Sequence, residues 1–189
     1  MTGNAFYSQS KSAEHYTPRE WWERVLKVME EIDCDPATSD DVMIPAKMRF
    51  TIRDDGLKQN WGRNTFLNPV YGVGVIKWFE KLQLEISKGH VEQAIVLWKA
   101  ALETDATRLL ISIPIYRCSA VPNTRISFNS GDPLKKQGGG DSSTFTPIFH
   151  YFGENEDRFK EVFGKSCTIW KPVPVHEKSV ERKGLTGDW

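Results

Sequence analysis

The sequence predicts an α/β fold in which helices cover both faces of one mostly parallel β-sheet: an alternation of patterns indicates this class, and composition and hydropathy exclude a disordered chain and a membrane span. Short apolar runs of strand length alternate with segments whose apolar residues recur at helical spacing. Hydrophobic residues make up 39% and aromatic residues 12% of the 189-residue chain, which is enough to form a buried core. The mean hydropathy of -0.47, without a long apolar run, predicts no membrane-spanning segment.

The first predicted element is a helix over residues 18–30. Thr17 can act as its N-cap, Pro18 suits the first helical position, and Glu20 completes a capping box. Apolar residues then recur along one face of this segment, at Trp21, Trp22, Val25, Leu26 and Met29. Both the start signals and the periodicity therefore indicate the same helix.

The rest of the chain alternates between predicted strands and helices. Strands are predicted over residues 32–35, 64–67, 93–98, 113–117, 125–128, 145–152 and 167–170. Helices are predicted over residues 73–87, from residue 104 onward, and over 154–163, with Gly89 ending the first of them. Residues 43–50 allow either a turn of helix or a short strand, and residues 54–57 are typical of a turn.

Polar segments predict the domain organisation. Residues 1–14 are expected to be a flexible N-terminal segment, residues 15–170 the main domain, and residues 171–189 a polar tail. Residues 130–144 form a Gly/Ser/Lys-rich segment that predicts a loop. The N-terminus lacks the pattern of a secretory signal, and the three cysteines lack metal-site spacing, so we expect a cytoplasmic protein with reduced thiols.

Several classes of site are disfavoured by the sequence. It contains neither of the glycine-rich phosphate-binding motifs, no GxSxG and no HExxH, and its four histidines are scattered, so no metal is expected. The 25 basic residues balance the 25 acidic ones, which argues against a non-specific polyanion coat but not against a local basic groove. Such a groove is suggested over residues 117–140, which carry Arg117, Arg125, Lys135 and Lys136 against one acid. A solvated loop is the alternative interpretation.

The ends of two predicted strands indicate where a ligand would bind. Asp35 ends one such strand and Asn68 directly follows the other, and ligands of α/β sheets bind at the carboxyl ends of the strands. The segment Asn68-Pro69-Val70-Tyr71 resembles the [Asn/Asp/Ser]-Pro-Pro-[Tyr/Phe/Trp] motif of amino-methyltransferases. In that chemistry an amide oxygen and a main-chain carbonyl accept the N–H groups of a conjugated amine and direct its lone pair at a methyl donor. Asn68 and the Pro69 carbonyl would be the acceptors, and Tyr71 would stack on the base. Asn-Pro is also a common strand-ending turn, and Tyr71 could be a core residue.

Further segments, in the same order along the chain, resemble the phage-type DNA N-6-adenine methyltransferases, a Dam-like family. They cover most of residues 14–164 and comprise residues 15–18, 32–37, 54–57, 61–71, 104–105, 125–128, 151–155 and 158–159. The resemblance implies a Rossmann-like methyltransferase fold, S-adenosylmethionine as methyl donor, S-adenosylhomocysteine as product, and the N6 amine of a flipped-out adenine in DNA as acceptor. It also implies a phage-encoded or bacterial protein, and for a phage the protection of its DNA from host restriction.

The resemblance assigns donor-binding roles to three short segments. Tyr16, Thr17 and Pro18 match the N-terminal donor-side motif, where a helix N-terminus would suit the donor's carboxylate. Asp35, Pro36 and Ala37 match an acidic motif that would hold the donor's ammonium or ribose. Asp54 and Asp55 match an acidic turn near the adenosine end. Thr17 and Pro18 are equally explained as a helix start, and the two aspartates as a turn.

The chain departs from the family pattern in two places. Val70 stands where the family has a second proline, which would stiffen the loop. Arg108 and Leu109 follow Thr104-Asp105 where the family carries an aromatic residue. A protein that binds donor or DNA without turnover is therefore one alternative, and methylation of RNA or of a protein amide is another. A chain of this length leaves no room for a large recognition domain, so we expect a short target sequence or weak specificity, which a homodimer would improve.

Overall fold

The computed structural model describes residues 16–40, 44–72, 74–126, 128 and 145–171. The predicted N-terminal segment 1–14, the predicted loop 130–144 and all but the first residue of the predicted tail lie outside the described residues. Within them the fold is α/β, and its strands form one seven-stranded sheet. The predicted fold class is therefore confirmed at this level.

Four helices and seven strands make up the described part of the chain. They are α1 (Arg19–Met29), β1 (Ile32–Asp35), β2 (Ala46–Arg49), β3 (Asn64–Leu67), α2 (Val75–Ser87), β4 (Gln93–Lys99), α3 (Asp105–Ser112), β5 (Tyr116–Pro122), β6 (Pro147–Phe152), α4 (Glu156–Phe163) and β7 (Cys167–Trp170). The strand order across the sheet is β2-β1-β3-β4-β6-β5-β7.

The sheet is mixed, although five of its strands run in one direction. Strands β1 to β4 pair in parallel, whereas β6 is antiparallel to both of its neighbours, β4 and β5, and β7 is antiparallel to β5. Strand β5 consequently runs in the same direction as β1 to β4. The arrangement is compatible with a Rossmann-like fold, with antiparallel pairing confined to one half of the sheet.

Helices cover both faces of the sheet, as the sequence predicts. On one face α1 and α4 bury residues such as Val25 and Phe159 in a core cluster shared with Phe149 of β6. On the other face α2 and α3 bury residues such as Phe79 and Leu110 in a second cluster. Burial on both faces explains why the central strands are short, nearly continuous apolar runs.

Several predicted elements are confirmed closely. The strands predicted over 32–35, 64–67 and 167–170 coincide with β1, β3 and β7, and the run 93–98 becomes β4 with one residue added. The ambiguous segment 43–50 contains a short strand, β2, at the edge of the sheet. Agreement is best where an apolar run of strand length has polar residues or a turn at both ends.

Two strand predictions differ from the structure. The strand predicted from residue 113 begins only at Tyr116, because Ile113 is the C-cap of α3 and packs in the second core cluster. Residues 125 and 126 lie outside any strand, although Ile126 is buried against the first cluster. In both cases the apolar residues reflect burial of a connecting segment, which periodicity alone cannot separate from a short buried strand.

The capping prediction for α1 is wrong by one residue. The N-cap is Pro18, whose carbonyl accepts a hydrogen bond from the Trp21 amide at 3.0 Å, and the helix begins at Arg19. Thr17 therefore precedes the cap. Its hydroxyl contacts a side chain at the end of β3, which places the beginning of α1 at that edge of the sheet.

A buried carboxylate anchors the chain just before β3. Glu85 of α2 is fully buried, and it binds the Lys81 ammonium at 2.8 Å, the His90 ring at 2.9 Å and the Trp61 amide at 3.1 Å. Burial raises the pKa of Glu85, but these hydrogen bonds outweigh it and lower the pKa to about 2. The ionised carboxylate thus ties α2 to the segment that enters β3.

Candidate functional site

The candidate site lies where the strand order of the sheet reverses. Strands β1 and β3 are neighbours, although the chain visits β2 between them, and Cys34 pairs with Thr65 across the two parallel strands. Asp35 is the last residue of β1, and Asn68 follows the last residue of β3. Both residues therefore lie at the same edge, at the reversal point where α/β sheets form a ligand crevice.

A long-range hydrogen bond joins this edge to the start of α1. The Asn68 amide donates from Nδ2 to the Thr17 hydroxyl at 3.2 Å, and Thr17 is buried. The first N–H groups of a helix have no partners within the helix, and the helix dipole places partial positive charge there. The hydrogen bond therefore brings a potential anion-binding helix terminus next to Asn68.

Asp35 supplies a buried carboxylate at the same edge. It is 3% exposed, and its Oδ1 accepts a hydrogen bond from the Ala37 amide at 3.3 Å. Burial raises the pKa of Asp35 to about 6, although hydrogen bonds from Ala37 and Thr38 and the charge of Arg49 act in the opposite direction. A carboxyl group whose pKa is shifted in this way, at the reversal point of a sheet, is a candidate functional group.

The loop after β1 packs directly against the predicted acidic turn. A Cβ atom added to Gly56 would lie 1.9 Å from the Pro36 carbonyl oxygen, so only glycine fits this contact. The Phe50 amide donates to the Asp35 carbonyl at 3.0 Å, and the Trp61 indole donates to the Gly56 carbonyl at 2.8 Å. Two segments that the resemblance assigns to the donor, 35–37 and 54–55, thus belong to one packed unit.

The side chains of Asp54 and Asp55 are engaged within the turn. The Asp54 carboxylate accepts hydrogen bonds from the Thr51 hydroxyl at 2.7 Å and the Thr51 amide at 2.8 Å, and these bonds lower its pKa. Asp55 has a φ of 52° and pairs with Lys58 at 2.8 Å. Both aspartates therefore have roles in forming the turn, whatever else they contact.

Tyr71 belongs to an aromatic stack. Its ring centroid lies 5.1 Å from that of Trp98 and 4.8 Å from that of Phe145, with interplanar angles of 20° and 29°. The Trp98 indole donates to the Thr107 hydroxyl at 3.1 Å, which fixes its orientation. The ring that was expected to stack on a base thus already stacks on two protein rings, and burial raises the pKa of its hydroxyl.

Three residues at this edge escaped the sequence analysis. Trp98 and Lys99 end β4, the neighbour of β3, and Phe145 precedes β6, whose first residue, Pro147, pairs with Lys99. The Lys99 ammonium lies 5.3 Å from the Trp98 ring centroid, so a cation stands beside the aromatic stack. The sequence did offer one signal for Lys99: a lysine stands at the end of a predicted buried strand, and that strand follows the one that leads into Asn68.

The predicted nucleic-acid contacts are divided between the two edges of the sheet. Arg117 lies near the beginning of β5, at the edge opposite Asn68, and its side chain donates to the Gly153 carbonyl at 3.2 Å. Arg125 follows the end of β5 and is exposed at the same edge as Asn68. Lys135 and Lys136 lie outside the described residues.

The remaining predicted site residues flank those already described. Tyr16 is half-buried and Pro18 is buried, on either side of Thr17, while Pro36 and Ala37 follow Asp35 in its loop. Pro69 is buried and Val70 is half-buried between Asn68 and Tyr71. The structure thus brings the segments around Thr17, Asp35 and Asn68 to one edge of the sheet, and it leaves Arg117 apart.

The described residues bear on two further features, a metal-binding group and a membrane-spanning helix. Within them no three histidine, cysteine or acidic side chains are grouped to hold a metal ion, and no helix is long and apolar enough to span a bilayer. Cys34, Cys118 and Cys167 are buried free thiols whose pKa is raised by burial.

Comparison of the chain with protein-family models, with curated proteins and with solved structures finds no significant match.

Proposed function

We propose that this protein transfers a methyl group from S-adenosylmethionine to the exocyclic N6 amine of adenine in DNA, with S-adenosylhomocysteine as the product. One observation carries the proposal. Asn68 opens an Asn-Pro-Val-Tyr segment directly after β3, at the reversal point of the sheet, and its amide is bonded to Thr17 at the start of α1. The hydrogen bond supports the proposal because it joins the segment proposed to accept the amine to the segment proposed to bind the donor.

The motif residues would prepare the amine for attack. An amine conjugated to a purine ring is a poor nucleophile because its lone pair is delocalised. The Asn68 amide oxygen and the Pro69 carbonyl would each accept one N–H bond and favour the tetrahedral form of the nitrogen. These acceptors would bind the amine more tightly as positive charge develops on it, which lowers the barrier to transfer.

The groups around Asn68 match the polar parts of the proposed donor. S-adenosylmethionine, when bound, supplies an electrophilic methyl group on a sulfonium, and it also carries a carboxylate, an ammonium and ribose hydroxyls. The start of α1 suits the carboxylate. The buried Asp35 carboxylate suits the ammonium or the ribose, since a ligand of either kind would offset part of the cost of burying its charge.

DNA would approach from the edge that carries Asn68. Lys99 and Arg125 lie at this edge and would contact phosphates, which position the duplex without reading its sequence. The target adenine would have to leave the base stack to reach Asn68, as in other enzymes that act on bases. Tyr71 would receive it only if one of the stacked neighbours of its ring moved.

A second candidate function is binding of donor or DNA without turnover. Two observations favour it: Val70 replaces the motif proline, and Tyr71 is stacked against Trp98 and Phe145. A Val70→Pro variant separates the candidates. A gain of about 10-fold or more in transfer rate would identify an enzyme slowed by a less rigid loop, whereas absence of transfer in both proteins, with donor binding intact, would identify a binding protein.

The experiment that tests the proposal offers the full chain three acceptors with labelled S-adenosylmethionine. These are unmethylated duplex DNA of varied sequence, RNA of matched sequence, and a glutamine-containing peptide. Transfer to DNA alone is expected. Transfer to RNA or peptide in preference to DNA would reassign the acceptor, and transfer to none would reject the enzymatic proposal.

A further inference from the structure

We propose that Thr17 is a positioning residue for Asn68: its hydroxyl accepts from Nδ2 and holds the side chain at the edge of the sheet, with Oδ1 directed away from Thr17. The inference rests on the proposed function, because that function gives Asn68 its role. It assigns to Thr17 a task different from the donor contact that the resemblance implies.

The geometry of the amide carries the argument. A carboxamide has a donor end and an acceptor end, and a half-turn of the side chain exchanges them. Asn68 directs Nδ2 at the Thr17 oxygen over 3.2 Å, so Oδ1 points away from Thr17. A threonine hydroxyl can also donate to an amide oxygen, as Thr168 does to Oδ1 of Asn123, so the bond to Thr17 fixes the place of the Asn68 side chain. The orientation in the structure is the one that directs an acceptor away from Thr17, as an amine with two N–H groups requires.

The surroundings of Thr17 leave its hydroxyl available for this task. Thr17 precedes the cap of α1, and the helix starts from the Pro18 carbonyl, which accepts from the Trp21 amide at 3.0 Å and the Trp22 amide at 3.3 Å. Because Thr17 is only 6% exposed, water competes little for its hydrogen bond. The partner of Thr17 is therefore Asn68, 51 residues away, and the bond couples the start of α1 to the proposed acceptor site.

The two substrates would contact different groups at this edge. The donor's carboxylate would bind main-chain N–H groups at the start of α1, which the Thr17 side chain does not supply. Loss of the hydroxyl should therefore slow transfer while leaving donor affinity unchanged, which separates a positioning residue from a donor ligand.

The test compares Thr17→Val, Thr17→Ser and wild type. Valine has nearly the shape of threonine but cannot accept the bond, whereas serine keeps the hydroxyl. Thr168→Val is the matched control, because Thr168 also bonds an asparagine side chain, Asn123, at 2.9 Å, but on β7, four strands from β3. The measurements are kcat and KM for DNA, donor affinity by calorimetry, and thermal unfolding.

We expect Thr17→Val to lower kcat about 10-fold or more with donor affinity and the unfolding midpoint little changed. Thr17→Ser should restore most of the rate, and Thr168→Val should behave as wild type. The inference is overturned if Thr17→Val keeps the wild-type rate while wild type is active, or if it weakens donor binding at unchanged kcat. If wild type transfers methyl to no acceptor, the proposed function fails and the inference fails with it. That result differs from the two above, in which wild type is active.

Discussion

The side chains of Thr17 and Asn68 are joined by a 3.2 Å hydrogen bond, although 51 residues separate them in the sequence. This bond places the start of α1 beside the end of β3, next to the reversal point of the sheet. Asp35 lies at the end of the neighbouring strand. The arrangement brings three separate short segments to one edge of the sheet, and the predictions below follow from it.

Asp35 should make stability depend on pH. Its folded-state pKa of about 6 lies above the ordinary value of 3.8, so the folded protein binds more protons than the unfolded chain between these values. Stability should therefore fall as the pH rises from about 4 to about 6, by up to about 3 kcal/mol, and then level off. Urea unfolding at pH 4, 5, 6 and 7 measures this fall in the free energy of unfolding.

Asp35→Asn is the matched variant for this prediction. It keeps the shape and an acceptor for the Ala37 amide, but it has no charge to bury. It should be more stable than wild type at pH 7 and lack the decline between pH 4 and 6. Parallel profiles for the two proteins would show that Asp35 is not the titrating group.

Donor affinity should depend on the same ionisation. If the Asp35 carboxylate holds the donor's ammonium or ribose, binding requires its charged form, which is depleted below a pKa of about 6. We expect affinity for S-adenosylmethionine to weaken about 10-fold from pH 7 to pH 5, measured by calorimetry. In Asp35→Asn affinity should be weak at both pH values; a variant that binds as tightly as wild type would exclude Asp35 as a ligand.

Gly56 should be intolerant of any side chain. A methyl group there would overlap the Pro36 carbonyl oxygen, so Gly56→Ala must displace either the turn or the loop that follows Asp35. We expect a loss of about 2 kcal/mol or more in unfolding free energy, together with weaker donor binding. Gly89→Asn is the control, because Gly89 has open space around it and asparagine tolerates its φ of 72°. Equal stability of the two variants would contradict the packing argument.

Lys99 and Arg117 should differ in their effect on DNA binding. Lys99 ends β4 at the edge that carries Asn68, whereas Arg117 lies toward the opposite edge and binds the Gly153 carbonyl. Lys99→Gln should weaken DNA binding and reduce the slope of log affinity against log salt by about 1, while Arg117→Gln should leave the slope unchanged. Fluorescence anisotropy over a salt series measures the affinity and the slope for each variant. A larger effect of Arg117→Gln than of Lys99→Gln would indicate that DNA binds at the opposite edge.

The sequence was sufficient to predict that Asp35 and Asn68 lie at the same edge of the sheet. Asp35 ends one short predicted strand and Asn68 follows another, and neighbouring parallel strands end at one edge. The antiparallel position of β6 between β4 and β5 could not be predicted, because pairing between distant segments leaves no local pattern. The sheet was therefore expected to be more uniformly parallel than it is.

The role of Thr17 was hidden by a competing local signal. Thr17-Pro18 with Glu20 satisfies the pattern of a helix start. That local pattern does not indicate that the Thr17 side chain bonds Asn68, which lies 51 residues away. The stack of Tyr71 with Trp98 and Phe145 was hidden for a related reason: its three rings come from separate segments that only the folded sheet brings together. Local propensity therefore identified the elements, and the tertiary contacts determined which side chains share the site.

The most direct test of the proposed reaction is the identity of the product base. DNA incubated with the full chain and S-adenosylmethionine is digested to nucleosides and analysed by mass spectrometry, with Asn68→Ala and Asn64→Ala alongside. Asn64 is the matched control because it lies on the same strand at the opposite edge. N6-methyladenine from wild type and Asn64→Ala, but at least about 100-fold less from Asn68→Ala, is the expected result. Unmodified adenine in DNA treated with folded, donor-binding wild type would contradict the proposal.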